Sequence, residues 1–151
     1  MPNQVTLTAA QEEQAVVRSV MVWINTYPDL PVSIINFEQM RPDAQSMAVS
    51  VIQSARIVRR YITGGHQGEL QFKLIYRIKA GTSNDARLTA DELLNAIGDW
   101  AAANPPTLGN EIQVCKVEAT TRSALFALYE NGDEDHQILF KLTYEVIYWQ
   151  T

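Results

Sequence analysis

The sequence predicts an α+β fold in which two helices pack on an antiparallel (mixed) β-sheet. Three observations predict it. Two segments carry apolar residues at helical spacing behind a capping pattern. One long segment alternates apolar and polar residues like a half-buried strand. The order of a helix followed by strands then occurs twice along the chain.

The first helix is expected over residues 9–25, because Thr8 and Gln11 fit a capping box. Val16, Val17, Val20, Met21 and Ile24 supply its apolar stripe. Pro28 and Pro31 end it, since neither can continue a helix. Residues 32–37 read as a strand and residues 40–43 as a turn. Met47, Val49 and Val51 alternate with smaller residues, and residues 56–62 form a separate strand candidate. Residues 63–68, rich in glycine, read as a long turn.

The clearest strand follows it. Leu70, Phe72, Leu74, Tyr76 and Ile78 share one face, while Gln71, Lys73, Arg77 and Lys79 share the other. After a loop over residues 81–85, Thr89-Ala90-Asp91-Glu92 gives a second capping box, opening a helix to about residue 103. Its expected inner stripe is Leu93, Ala96, Ile97, Trp100 and Ala101, and Pro105-Pro106 stops it. Strands are expected over residues 112–119, 123–130 and 137–149, with Asn131-Gly132 as a hairpin turn between the last two. Phe72-Lys73-Leu74-Ile75-Tyr76 and Phe140-Lys141-Leu142-Thr143-Tyr144 agree in all but one position, which suggests a helix-plus-strands pseudo-repeat.

At 151 residues the chain has the length of one domain, large enough to bury a core of its own. A content of 46% apolar and 19% charged residues excludes the disordered class. The longest apolar run, residues 124–129, is far too short for a membrane span, and the first residues lack a secretory pattern. A lone cysteine fits a reducing compartment. The expectation is therefore a soluble protein made inside the cell.

The formal charge of −5 is unevenly spread. Residues 41–80 are net basic, whereas residues 81–151 hold eleven acids against four bases. A net-acidic chain disfavours dedicated DNA binding, while a basic segment beside an acidic one favours head-to-tail packing of like subunits.

Catalytic and metal-binding patterns are lacking. No phosphate-cradling loop, nucleophile elbow or HExxH zinc helix occurs. His66 and His136 are seventy residues apart and offer no zinc spacing. Cys115 reads as a buried small residue within a strand. The acids of residues 130–135 lack calcium-loop spacing and read as a solvated hairpin tip. Arg56, Arg59 and Arg60 form one compact basic cluster; on a regular strand Arg59 faces away from the other two. Tyr144, Tyr148 and Trp149 read as strand-edge packing. These readings point away from an enzyme and from a cofactor.

The N-terminal helix ending at Tyr27-Pro28, the 56–62 strand leading through Gly64-Gly65 into residues 69–79, the 89–103 helix and the hairpin at Asn131-Gly132 carry a resemblance. From about residue 8 to 150 the chain resembles the tail-terminator, or tail-completion, proteins of long-tailed bacteriophages and prophages, also called minor capsid proteins. The resemblance implies a subunit of a homohexameric ring that caps the tail tube and stops its polymerisation. The ring's partners would be the tail tube protein, a head-completion or connector protein, and DNA passing through without sequence-specific binding. No membrane is implied. The place is the head–tail junction of a virion made in the bacterial cytoplasm. Within that picture Asp133, Glu134 and Asp135 are pore or rim acids, and Arg56, Arg59 and Arg60 are interface residues. The competing readings are a head–tail connector, a tail tube subunit, or a small-molecule-binding α+β domain.

Overall fold

The computed structural model describes residues 8–40, 45–79, 84–108 and 112–146. Thr8 caps α1 (Ala9–Ile24) as expected: its hydroxyl accepts from the Gln11 amide at 3.1 Å, and its own amide donates to Gln11 Oε1 at 3.0 Å. Val16, Val20, Trp23 and Ile24 are buried. Asn25 caps the far end and accepts from the Ile35 amide at 2.7 Å, which ties the helix to β1 (Ile35–Phe37). The strand expected over 32–37 is thus shorter than its sequence suggested.

The following elements are β2 (Ser46–Arg60), β3 (His66–Lys79), α2 (Asn84–Ala103), β4 (Ile112–Ala119), β5 (Ala124–Leu128) and β6 (Asp133–Val146). They build one six-stranded sheet in the order β1-β2-β3-β6-β4, with β5 also paired to β6. The β1–β2 pair is parallel and all other pairs are antiparallel, so the sheet is mixed and the class is α+β. β4 and β5 share one flank of β6, lying against residues 140–146 and 134–137 respectively.

The core lies between the helices and one sheet face. Leu70, Phe72, Leu74, Tyr76 and Ile78 from β3 meet Ile138, Phe140, Leu142, Tyr144 and Val146 from β6 on that face, all buried. Side chains of the opposite face are mostly half-exposed. The two similar pentapeptides meet only at their first residues, from which they run in opposite directions: Phe72 pairs with Phe140 in register, their rings stacked 5.1 Å apart. The helices meet where Trp23 stacks on Trp100 at 5.3 Å, and the Trp23 indole donates to the Asn104 carbonyl at 2.6 Å.

Several boundaries differ from expectation. Residues 47–51 and 56–60 belong to one strand, β2, interrupted by irregularities between Val51 and Gln53 and between Ala55 and Arg59. Bulges of this kind disrupt alternation and hide continuity in the sequence. α2 starts at Asn84 rather than at Thr89, so the second capping pattern lies inside the helix, where Asp91 serves the sheet instead. Its buried line runs through Ala90, Leu94, Ile97, Gly98 and Ala101; Leu93 and Trp100 are half-buried and Ala96 is exposed. The turn expected over residues 40–43 and the loop over 81–85 fall largely outside the described residues. Tyr148 and Trp149 lie outside them as well, whereas Tyr144 is buried in the core.

The hairpin at Asn131-Gly132 is present. Gly132 adopts φ 91°, its amide donates to the Tyr129 carbonyl at 3.0 Å, and Tyr129 N donates to Asp133 O at 2.9 Å. That pattern fits a three-residue hairpin loop, which needs a left-handed residue at its third position. No helix among the described residues is long and apolar enough to cross a membrane.

Candidate assembly interface

The three acids expected at a solvated tip are inside the protein. Asp133, Glu134 and Asp135 are 4%, 0% and 2% exposed. They begin β6 and face partners supplied by other elements. Arg77 of β3 reaches Asp135 through two nitrogens, at 2.7 and 2.9 Å, and Tyr129 donates to the same carboxylate at 2.8 Å. This fork-to-carboxylate pairing raises the Arg77 pKa above its ordinary value, and the bond to Asp135 raises that of the Tyr129 hydroxyl. Asp133 accepts from the Asn131 side chain at 3.0 Å. The solvated-tip expectation is therefore corrected: acids next to the turn are drawn in because a sheet-borne and a helix-borne arginine neutralise two of them. Charge so enclosed is not presented to a pore.

Glu134 leads to a longer polar chain. Arg87 of α2 donates to it at 2.7 Å, and its other oxygen meets His136 Nε2 at 3.2 Å. His136 Nδ1 faces Asp91 at 2.9 Å, and Asp91 accepts from the Ser123 hydroxyl at 2.8 Å. A serine, a histidine and an acid thus come together, but in an order unlike a nucleophile relay. Ser123 is bonded to the acid, and both ring nitrogens of His136 face carboxylates, so this ring does not receive the serine proton. What the chain of contacts does is pin α2 to the sheet. Near the start of α1 the buried Glu12 does the same, meeting His66 Nε2 at 2.8 Å and accepting from Tyr144 at 2.8 Å. Each helix is therefore latched to the sheet by an acid and a histidine.

Cys115 is exposed, not buried. β4 slips register between Val114 and Lys116, which makes Cys115 the extra residue of a bulge and moves the inward positions from Ile112 and Val114 to Val117 and Ala119. Partial burial of the thiol and the neighbouring Glu145 carboxylate raise its pKa.

Of the basic cluster, Arg59 and Arg60 are exposed at the end of β2, while the Arg56 side chain is outside the described residues. Arg59 pairs with Gln67 and Arg60 with His66, so successive positions set them on opposite faces, as expected. They sit on a margin of the sheet with exposed Ile52 and Val58. β1 covers only the first part of that margin, against residues 47–49. Glu38 then closes it with φ 58°, its carboxylate accepting from the Val51 amide at 2.6 Å and the Ser50 hydroxyl at 2.9 Å.

The opposite margin carries residues that the sequence reading did not single out as functional. Leu125, Phe126, Leu128 and Tyr129 are 48%, 45%, 66% and 41% exposed. Phe126 lies under Lys73 at 5.0 Å and Tyr129 under Arg77 at 4.7 Å, which orders two of these rings at the surface. The signal was the run of residues 124–129 itself: a strand apolar at every position has no solvent-adapted face. Elsewhere, an open groove of about 570 Å³ lies beside Trp23 and Trp100, and another of about 550 Å³ beside Val17, Met21 and Phe37.

No protein-family model matches the chain, and no curated protein does. Among solved structures, a chain from the virion of a native gene transfer agent particle superposes with a TM-score of 0.55, at 13% identity, over 84% of this chain and 93% of its own length. Another solved chain, 17% identical, covers 97% of this chain and all of its own length with a TM-score of 0.47. The first similarity establishes a shared fold.

Proposed function

We infer that this chain is a structural subunit of a phage-like particle, one that closes as a ring on the tail tube, ends its polymerisation and joins tail to head. The observation that carries the reading is the fold held in common with the gene transfer agent virion chain across most of both molecules. The surface supports it. A ring subunit needs two unlike faces, because head-to-tail contacts close into cyclic oligomers when the rotation permits. Here one margin is basic and apolar at Val58, Arg59 and Arg60, and the other is apolar from Leu125 to Tyr129. In this reading the protein performs no catalysis and holds no cofactor. Its partners are its own copies, the tube protein, a head-completion protein and the DNA that passes through, and its place is the head–tail junction.

Native mass across a concentration series, with and without tail tubes, tests the reading. A discrete species near six subunits, formed alone or on added tubes, is the expected result. Open-ended stacks in electron micrographs would replace it with a tube subunit. A monomer that ignores tubes and retains a small ligand would replace it with a binding domain.

A further inference from the structure

We propose that the β5 margin of one subunit docks on the β2 margin of a second copy of this chain, a head-to-tail contact centred on Leu128 and Val58. The inference rests on the ring reading and specifies its interface. The registers fix where the two patches lie. β5 pairs with residues 134–137, at the start of β6, and Arg59 and Arg60 pair with residues 67 and 66, at the start of β3. Since β3 and β6 are antiparallel, their starts lie at opposite ends of the sheet. β5 and the end of β2 also lie on opposite margins. The patches therefore occupy diagonal corners, too far apart to cover one another within a subunit.

Both patches are apolar enough to need cover. Leu128 is 66% and Val58 55% exposed, and an uncovered apolar strand at a sheet margin is a pairing hazard that proteins normally blunt. Charge chooses the occupant. Exposed Arg59 and Arg60 follow Val58, and exposed Glu130 follows Tyr129 at the tip of the β5–β6 hairpin. Glu92, also exposed, lies on the helical stripe of Asp91 and Asn95, which bond Ser123 just before β5. The bases beside that strand among the described residues are exposed Arg122, half-buried Lys73 over Phe126, and Arg77, which is neutralised by Asp135. Joining like corners would set Arg59 and Arg60 against their own copies, or Glu130 against its own copy. Joining unlike corners sets the arginines against the glutamates. That selects a heterologous contact over a symmetric dimer.

Disulfide trapping tests the contact in a Cys115→Ser background, which removes the exposed native thiol. Val58→Cys and Leu128→Cys alter exposed side chains, so both variants should keep the parent's circular dichroism and melting. The expected result is that an equimolar mixture cross-links roughly tenfold faster than either variant alone. Arg59→Glu with Arg60→Glu on the Val58→Cys chain should slow this about tenfold at low salt. Glu92→Arg with Glu130→Arg on the Leu128→Cys chain should then restore it. Self-cross-linking of Leu128→Cys would overturn the proposal in favour of a symmetric contact. Failure of the mixture to cross-link at high concentration would also overturn it. If a six-subunit species still forms, only the interface falls; if the mixture gives the cross-linked dimer while native mass shows open assemblies of growing length, the interface stands and the closed ring falls.

Discussion

Asp135 is an acid made indispensable by its donors. With Arg77 and Tyr129 both turned toward it, Asp135→Ala leaves a partly buried guanidinium without its main partner. The expected loss is about 2–3 kcal/mol in urea unfolding, since stranding a charged donor costs more than its bond contributes. Gly68 is equally constrained for a steric reason: a Cβ there would lie 2.3 Å from Cζ of Tyr144, its cross-strand partner. Gly68→Ala should cost about 1–3 kcal/mol by the same measurement, because the tyrosine is bonded to Glu12 and cannot swing away freely. At Cys115 the direction follows from the raised pKa. Less thiolate is present at neutral pH, so alkylation should be slower than for an unstructured cysteine peptide and should accelerate toward alkaline pH. Glu145→Gln should speed it several-fold at fixed pH.

At the level of helices and strands, what could be read in advance was what obeys a period. α1 and its cap, the alternation of Leu70 to Ile78 and the Gly132 turn each rest on local chemistry that neighbours only reinforce. What could not be read depends on a second segment. The bulge at Cys115 arises only when β4 pairs with β6. The early start of α2 depends on residues before Thr89, and Asp91 looked like part of a cap because His136 and Ser123 are distant in sequence. The inner line of α2 is checked by one leucine-to-alanine and one alanine-to-serine change. Leu94→Ala should destabilise by about 2–5 kcal/mol, while Ala96→Ser should lie within about 0.5 kcal/mol of the parent.

For the molecule as a whole, charge arithmetic located unlike segments correctly and misjudged what solvent meets. Arg77, from the basic stretch, is engaged by Asp135 from the acidic one, and Asp133 to Asp135 are enclosed. Arg59 and Arg60 remain outside, and Arg59→Glu with Arg60→Glu should leave the monomer's melting nearly unchanged while weakening self-association in sedimentation. The apolar margin at β5 was visible only as a run without alternation, because exposure is decided by which strand ends the sheet. The stacked Trp23 and Trp100 have a consequence of another kind. They lie on the first and second helix, so their emission reports whether those helices are in contact, while the β-sheet component of the amide infrared band follows the strands. Comparing the two signals during unfolding of a Trp149→Phe variant would reveal whether the halves of the molecule part company before either loses its strands.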